Sequence, residues 1–400
     1  MGINYMFVVF SPFLVYLPQM LALIHLVRRK QIDGGNTWTT GMFLLFLWSL
    51  IVGLINRQGY SFAAGFAFFG FYGVSLFLHH NYQTTEKIEK ILYYIFSLTL
   101  ISAVIGILEG LDVITPASSW WKCFFGLTTL IPNDDNLLRI TGTFGNPNLA
   151  ASWYGVMILV GFHFYEKSQG QKRHMLFFSL LLLIVVLVMT GSRGAFIGLL
   201  IGLTVYDLVK GRMFHFILRI LILFVGLLIF LGYSEWFPRG DLLSLTIDLR
   251  WAIWENCFNM YLKKPITGWG IMGIYFADDN VYQYLRVLHA HNMLISLAVM
   301  LGSVGILIFI WMEGHLLAQL WELSQEKCPL APLLAAVQAL FWGHGIFDFT
   351  AMAPQIGLLF IAFSSFIGTL GRSQVSWPDL PRRRKFTGRQ SALMRGSDHL

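Results

Sequence analysis

The chain has 400 residues, of which 56% are apolar, 16% are aromatic and only 12% are charged. This composition excludes an ordinary soluble domain and predicts a polytopic helical membrane protein. The net charge is +7 at pH 7, but the basic residues lie in separate loops and a short tail, which argues against nucleic acid as a partner.

Apolar runs of membrane-spanning length follow one another along the chain. Because about 20 apolar residues are needed to cross the hydrocarbon core, we predict an all-α transmembrane bundle of about 11–12 helices. The first run shows no cleavage signature and is kept as a helix. The runs lie at residues 6–26, 38–55, 61–78, 91–108, 148–165, 175–190, 195–209, 216–232, 292–312, 333–349 and 353–370.

Lys and Arg residues cluster in alternate loops, which the positive-inside tendency places in the cytoplasm. They are Arg28, Arg29, Lys30, Lys87, Lys90, Lys167, Lys172, Arg173, Lys210, Arg212, Arg382, Arg383, Arg384 and Lys385. The outer side then carries residues 112–145, the turn around Arg193 and a long loop at residues 233–291. We expect one transmembrane domain at residues 1–370 and a basic cytoplasmic tail at residues 371–400 whose composition predicts disorder.

Arg193 lies in the sequence TGSRG, where one apolar run ends and the next begins almost at once. The turn is therefore expected at the outer membrane boundary, where a guanidinium without an anionic partner is costly. One interpretation is that Arg193 snorkels to lipid phosphate. The other is that its planar fork binds the phosphates of a lipid-linked donor.

The outer loop contains the sequence RWAIWENCFNMY at residues 250–261, in which aromatic residues recur at helical spacing. We predict an amphipathic helix on the outer membrane surface, ended by the KKP sequence at residues 263–265. Arg250, at its beginning, could face a substrate phosphate or pair with Asp248. The GWG sequence at residues 268–270 predicts a turn that bulkier residues would disrupt.

Two imidazoles flank one alanine in the sequence HAHN at residues 289–292. If Asn292 caps the following helix, His291 is held just outside it with its ring accessible. An imidazole there can take a proton from an alcohol near neutral pH, so His291 is a candidate general base and His289 a candidate substrate-binding residue. The alternative is that each histidine is a satisfied polar residue at a helix end.

His344 and Asp348 are four residues apart near the outer end of the tenth run, so on a helix they would share one face. An ionisable pair inside an apolar segment is a candidate substrate-binding site, although the same pair could simply hold two helices together. The sequence Asn146-Pro147-Asn148 is interpreted as structural, with Asn146 as a cap and Pro147 in the first helical turn.

No metal-binding, nucleotide-binding or zinc-protease motif is visible. The acidic doublets at residues 134–135 and 278–279 could hold a divalent metal, but solvated loops explain them as well. Cys123, Cys257 and Cys328 lack metal-ligand spacing and require no disulfide, although the first two share the predicted outer side. We therefore expect no metal, no cofactor and no nucleotide as energy source.

The pattern H-N-x9-G-x-x-G, formed by His291, Asn292, Gly302 and Gly305, resembles the signature of O-antigen ligases and related polytopic enzymes of bacterial envelopes. The GNPN, SRG and RW…P..GWG elements occur in that family in the same order, here at residues 145–148, 192–194 and 250–270. The resemblance covers residues 140–350, whereas the first hundred residues are only hydrophobic.

The resemblance implies metal-independent, inverting transfer of a glycan from undecaprenyl pyrophosphate to lipid A-core, or another glycan acceptor, at the periplasmic face of the bacterial inner membrane. It assigns His291 as the general base, Arg193 and Arg250 as catalytic residues that hold the pyrophosphate, and Asp348 as a supporting polar residue. Membrane lipids are further partners. The family's twelve helices with both termini cytoplasmic differ from our count, which puts the N-terminus outside.

Other functions remain open from the sequence. A polymerase would join lipid-linked repeats to one another, and a protein glycan transferase would use a Ser or Tyr hydroxyl as acceptor. A transporter or flippase would place Arg193, His344 and Asp348 along a pathway. No internal repeat is visible, and the polar candidates gather at one predicted face, which favours an enzyme.

Overall fold

The computed structural model describes residues 3–114, 119–127, 139–233 and 243–371, and every regular element within these ranges is helical. The acidic doublet at residues 134–135 and the tail from residue 372 lie outside them. The helices are α1 (Ile3–Phe10), α2 (Tyr16–Arg29), α3 (Thr37–Ile55), α4 (Gly59–Asn81), α5 (Thr85–Gly110), α6 (Trp120–Phe124), α7 (Pro147–Lys167), α8 (Gly170–Met189), α9 (Arg193–Val209), α10 (Met213–Gly232), α11 (Leu243–Lys263), α12 (Met293–Gln325), α13 (Ala331–Gly345) and α14 (Pro354–Leu370), with a 3₁₀ turn at Thr350–Met352.

Several of these helices are long and apolar enough to cross a membrane, namely α3, α4, α5, α8 and α12. Large apolar side chains such as Phe178 on α8 and Phe214 on α10 are exposed at the outer surface of the bundle, as lipid-facing residues are. Each of the eleven predicted apolar runs overlaps a helix. The prediction of an all-α, multi-pass membrane protein is therefore confirmed.

The first predicted run, residues 6–26, forms two helices rather than one, which corrects the sequence prediction. A turn that contains Pro12 separates α1 from α2. Proline lacks a backbone N–H and disfavours helical geometry in the preceding residue, Ser11. The Ser11 hydroxyl instead donates a hydrogen bond to the Phe124 carbonyl oxygen at 2.6 Å.

α9 and α13 pack backbone to backbone through glycines at every fourth position of α9. A Cβ atom on Gly198 would lie 2.8 Å from the Leu340 carbonyl oxygen, and one on Gly202 would lie 2.7 Å from another carbonyl oxygen of α13. Small residues at this spacing let membrane helices approach closely. The first glycine of the series, Gly194, brings the beginning of α9 against His344 of α13.

α12 is interrupted at Gly302, where the backbone has φ 64° and ψ −170°. The carbonyl groups of Val299 and Met300 accept hydrogen bonds from outside the helix, namely from the backbone N–H groups of Trp269 (2.7 Å) and Gly270 (2.8 Å). Residues from the loop after α11 thus replace the helical hydrogen bonds that the break removes. The predicted GWG turn is confirmed, and it fills the break in α12.

Both glycines of the GWG turn are required by this geometry. Gly268 has φ 68° and Gly270 has φ 89°, which side chains rarely allow. A Cβ atom on Gly268 would also lie 2.6 Å from the Val299 carbonyl oxygen. The Trp48 indole of α3 donates to the next carbonyl group, that of Leu301, at 2.7 Å, so the broken region is also anchored to α3.

The run predicted at residues 333–349 ends early, because α13 stops at Gly345. Asp348 therefore lies in the turn after α13 and not on one helix with His344, as the sequence had predicted. The Asp348 N–H still donates to the His344 carbonyl oxygen at 3.0 Å, which keeps the two residues one turn apart.

The helix predicted at residues 250–261 begins earlier, at Leu243, so Arg250 lies in its interior and not at its beginning. Its end at Lys263 is as predicted. Of the aromatic residues that predicted one apolar face, Trp254 and Tyr261 pack against a buried cluster, whereas Trp251 and Phe258 are exposed. The buried side is completed by smaller residues, Ile253, Cys257 and Met260.

Candidate active site

His291 and Asp348 form a hydrogen-bonded pair at one end of the bundle, where α12 begins and α13 has ended. His291 Nδ1 lies 3.1 Å from Asp348 Oδ1. An ionised carboxylate only accepts hydrogen bonds, so His291 Nδ1 carries a proton and donates it. In the neutral ring the other nitrogen, Nε2, then has the lone pair that can accept a proton.

Asp348 is buried, and its carboxylate accepts hydrogen bonds on several sides. Oδ2 accepts from Asn148 Nδ2 at 2.7 Å, and Oδ1 accepts from the Phe349 N–H at 2.9 Å. Burial raises the pKa of Asp348, but the hydrogen bond from His291, together with the electrostatic influence of the surrounding histidines, outweighs it and holds the pKa well below its usual range. Asp348 is therefore ionised and fixes the His291 tautomer.

Asn148 links Asp348 to Arg139, a cation that the sequence did not single out. Arg139 Nη2 donates to Asn148 Oδ1 at 2.8 Å, and its Nε donates to the Thr190 carbonyl oxygen at 2.6 Å. A second carboxylate, Glu109, accepts hydrogen bonds from the backbone N–H groups that closely follow Arg139 in the chain. Arg139 is thus placed beside the His291–Asp348 pair by contacts from three separate segments.

The NPN sequence explains how Asn148 comes to its position. The Asn146 side chain accepts a hydrogen bond from the Asn148 N–H at 2.8 Å, and Pro147 is the first residue of α7. The predicted capping role is confirmed. The motif also has a second role that the sequence prediction missed, because the cap aims the Asn148 side chain at Asp348.

His289 occupies a different environment from His291, although their ring centroids are 4.7 Å apart. Its Nδ1 accepts a hydrogen bond from the His291 backbone N–H at 3.2 Å, so the ring proton lies on Nε2. Burial lowers the pKa of His289 to about 4, against a smaller opposing effect of Asp348. His289 is therefore neutral near pH 7 and already engaged by the backbone, which leaves His291 as the better base.

Asn292 and Trp254 fix the loop that carries both histidines. The Asn292 side chain accepts from the Ile295 N–H at 3.0 Å, which confirms the predicted cap of α12. The Trp254 indole of α11 donates to the Ala290 carbonyl oxygen at 2.9 Å. His291 itself has φ 49°, a left-handed conformation that persists in a residue with a side chain only where its surroundings enforce it.

Arg193 is the first residue of α9 and is half-buried. Its neighbour Gly194 lies so close to the site that an added Cβ atom would be 3.0 Å from both His344 and Phe347. Ser192 precedes it without a side-chain cap on the first N–H groups of the helix. A helix N-terminus with a guanidinium on its first residue favours an anion.

Arg250 approaches the same region from α11, and its charge acts on the His344 imidazole. His344 is buried, with Nδ1 2.8 Å from the Ser152 hydroxyl, which in turn lies 2.9 Å from the Thr350 hydroxyl. These contacts join α7 to the segment after α13. They favour a structural role for His344, and its predicted substrate binding stays a prediction.

The ligand atoms of His289, His291 and Asp348 all lie within 4.8 Å of one another, a spacing that a metal ion could bridge. The hydrogen bonds that join these residues to one another and to Asn148 also account for the arrangement. Metal independence therefore stays a prediction. At the other candidate metal position, Asp279 Oδ1 pairs with Arg286 Nη2 at 2.5 Å. Cys123, Cys257 and Cys328 are free thiols, so the first two form no disulfide.

Residues 178–310 match the sequence model of a family described as O-Antigen ligase. Two relatives, each named "Putative polysaccharide ligase", come from Rickettsia conorii and Rickettsia felis and are 26% and 25% identical to this chain over 192 residues. These alignments cover 44% of this chain and 45% of each relative, so the chain spans about half the length of the curated relatives it matches. The matches confirm the resemblance of this chain to the O-antigen ligase family.

Proposed function

We propose that this protein is a glycosyltransferase of the O-antigen ligase type, which moves a glycan from undecaprenyl pyrophosphate to a sugar of lipid A-core at the periplasmic face. The observation that carries the proposal is the His291–Asp348 pair, in which the His291 side chain is partly exposed and the Arg139 guanidinium is held nearby through Asn148. The family match supports the ligase chemistry in general terms. Donor, acceptor, stereochemistry and membrane orientation belong to the proposal.

In the proposed reaction, the acceptor hydroxyl gives its proton to His291 Nε2 while its oxygen attacks the anomeric carbon of the donor glycan. The bond from that carbon to the pyrophosphate oxygen breaks, and undecaprenyl pyrophosphate leaves with the electron pair. Attack from the opposite side inverts the anomeric centre. A positioned base typically contributes about 10²–10⁴-fold to such a step. Asp348 then stabilises the imidazolium that forms.

The leaving pyrophosphate gains negative charge as the glycosidic bond breaks. Cations fixed near it therefore stabilise the transition state more than the ground state. Arg193 and Arg250 carry this role in the proposal, and Arg139 adds a further guanidinium on the Asn148 side of the pair. The pyrophosphate linkage is itself activated, so the reaction needs no nucleotide.

An apolar cavity of about 110 Å³ beside the pair supports a lipid-linked substrate. Its lining includes Phe349 and Met293, which directly follow Asp348 and Asn292 in the chain, together with apolar residues of α3, α4 and α14. A substrate with an apolar chain in this cavity would present its polar head to His291.

Transport is the alternative from a different class. Binding residues of transporters lie near the middle of the membrane, between related halves. Here His291, Asp348, Asn148 and Arg193 all lie at helix ends, at one end of the bundle. This placement favours an enzyme. A polymerase or a protein glycan transferase would use the same residues and differ in the acceptor.

The proposal is tested with purified protein reconstituted with undecaprenyl pyrophosphate glycan and lipid A-core in EDTA, with products identified by mass spectrometry. The expected product is glycan on lipid A-core, formed by wild type and by His174→Ala but not by His291→Ala; His174 is an exposed histidine on α8 and serves as the matched control. Longer glycans that stay on the carrier would indicate a polymerase. Activity only after metal is added would contradict metal independence.

A further inference from the structure

A second apolar groove, of about 180 Å³, opens on the side of the bundle between α2, α4, α5 and α14. It lies along the break in the first apolar run, since Val8 of α1 and Pro18 of α2 both line it. The indole N–H of its lining residue Trp153 donates to the Thr99 hydroxyl at 2.9 Å, so that donor is already satisfied. What remains is a hydrocarbon surface with one imidazole, His25, toward the end where α2 stops.

On both α2 and α5, the helix face that lines the groove carries a basic residue one turn beyond the groove, at this end of the bundle. His25 lines the groove, and Arg29 follows it by four residues and so lies on the same face of α2 one turn further on. Ile91 lines the groove, and Lys87 precedes it by four residues on the same face of α5. Arg29 and Lys87 are exposed; Arg29 is the last residue of α2 and Lys87 lies in the first turn of α5, so both extend the groove beyond His25 and Ile91.

In the part of the chain that the structure describes, no carboxylate forms an ion pair with either cation. Within the described ranges, Arg29 pairs with no carboxylate, and Lys87 donates to the Asn81 carbonyl oxygen at 3.3 Å. The acidic residues on the same turns of α5 are engaged elsewhere, since Glu86 accepts from the Thr85 hydroxyl and Glu89 binds His163 and Lys167. The end of the groove therefore presents two basic side chains to the membrane surface.

We propose that this groove binds an anionic phospholipid, with one acyl chain along the groove and the phosphate between Arg29 and Lys87. From Pro18 to His25 the groove follows α2 for about 10 Å, given a rise of ~1.5 Å per residue, which suits the upper part of an acyl chain. Basic side chains at a membrane surface attract anionic headgroups. The site is independent of the proposed glycosyl transfer.

Native mass spectrometry of the detergent-purified protein tests the proposal, with phosphatidylglycerol and phosphatidylcholine of identical acyl chains offered together. We expect wild type to bind phosphatidylglycerol on the order of tenfold more tightly. The double variant Arg29→Gln, Lys87→Gln should lose this preference. The control Lys172→Gln, Arg173→Gln removes the same charge from the first turn of α8, next to the end of α7, and should keep it.

A second variant tests the hydrocarbon part of the site. Ala362→Phe places a ring in the groove and should weaken binding of both lipids alike. Equal binding of the two lipids by wild type would overturn the proposal. A preference for phosphatidylglycerol that survives in the Arg29, Lys87 variant would also overturn it. An equal loss of the preference in the α8 control would overturn it as well, because general surface charge would then explain the preference.

Discussion

The two ends of α7 carry polar clusters of different kinds. Asn148 near its beginning and Glu166 near its end are about 27 Å apart along the helix, close to the thickness of a hydrocarbon core. Glu166 accepts a hydrogen bond from the Tyr206 hydroxyl at 2.9 Å and binds Lys210 and Arg212. Its charge is thus balanced within the protein.

The Asn148 end is built otherwise. Asn148 joins the Asp348 carboxylate to the Arg139 guanidinium, and Asp348 orients a half-exposed imidazole, that of His291. From this comparison we expect the ion pairs around Glu166 to serve stability and the polar residues around His291 to serve the proposed transfer. Substitutions at the two ends should therefore separate the two properties.

The largest effect is expected for His291→Ala, which removes the proposed general base. Transfer should fall by at least about 10²-fold, because a positioned base contributes that much to proton removal. The unfolding temperature should stay near that of wild type, since His291 is partly exposed. Initial rates and thermal melts in detergent measure both quantities. Full activity would show that His291 is not the base.

A conservative exchange at each end sharpens the comparison. Arg193→Lys keeps the charge but loses the planar fork, so transfer should fall roughly tenfold or more while stability changes little. Arg212→Lys should lower the melting temperature slightly and leave the rate unchanged, because Arg212 binds Glu166 at the other end. Wild-type transfer by Arg193→Lys would instead indicate an arginine that only snorkels to lipid.

A smaller loss, about tenfold in the turnover rate, is expected for Asn148→Ala. The Asp348 Oδ2 atom would lose its 2.7 Å hydrogen bond inside the protein, which costs about 1–3 kcal/mol and leaves the carboxylate less well oriented. Asn81→Ala is the matched control at the opposite end of the bundle, because the Asn81 amide donates to the Phe77 carbonyl oxygen of its own helix. Similar rates for both variants would argue against a positioning role for Asn148.

The smallest effect concerns pH. The pKa of His289 is about 4 in the folded protein and 6.5 in its ordinary state, so the unfolded chain binds this proton first as pH falls. The contribution of neutral His289 to the free energy of unfolding is therefore complete above pH 6.5 and is lost as pH falls toward 4. At pH 5 the loss should be about 2 kcal/mol. Between pH 7 and pH 5 the melting temperature should fall less steeply for His289→Asn than for wild type, as measured by thermal melts.

The sequence predicted the class of fold and the chemical groups better than their arrangement. Apolar runs located the helices because every helix that crosses the hydrocarbon core needs a similar length of apolar sequence. It missed the breaks at Pro12 and Gly302, since a broken membrane helix depends on distant partners such as Trp269 and Trp48 that supply the missing hydrogen bonds.

The site shows the same division. His291 could be predicted as a candidate because it directly precedes the cap of a membrane helix, and Asp348 because ionisable groups are rare in apolar segments. Their pairing could not, because it depends on α13 ending at Gly345 and on the left-handed backbone of His291. Arg139 was missed because it lies in no motif. Its position seven residues before Asn146, on the predicted outer side, could have indicated a cation near the NPN sequence.

The break at Gly302 has a mechanical consequence for the site. Membrane helices adjust to bilayers of different thickness chiefly by tilting, and an unbroken helix of 33 residues would carry that tilt to its first turn. Here the segment before Gly302 is tied to the GWG turn and to Trp48, and directly after the break the Ser303 N–H donates to the Pro265 carbonyl oxygen at 2.7 Å. We therefore expect these contacts, rather than the tilt of the later part of α12, to set the position of the first turn of α12 next to His291 when the bilayer thickness changes.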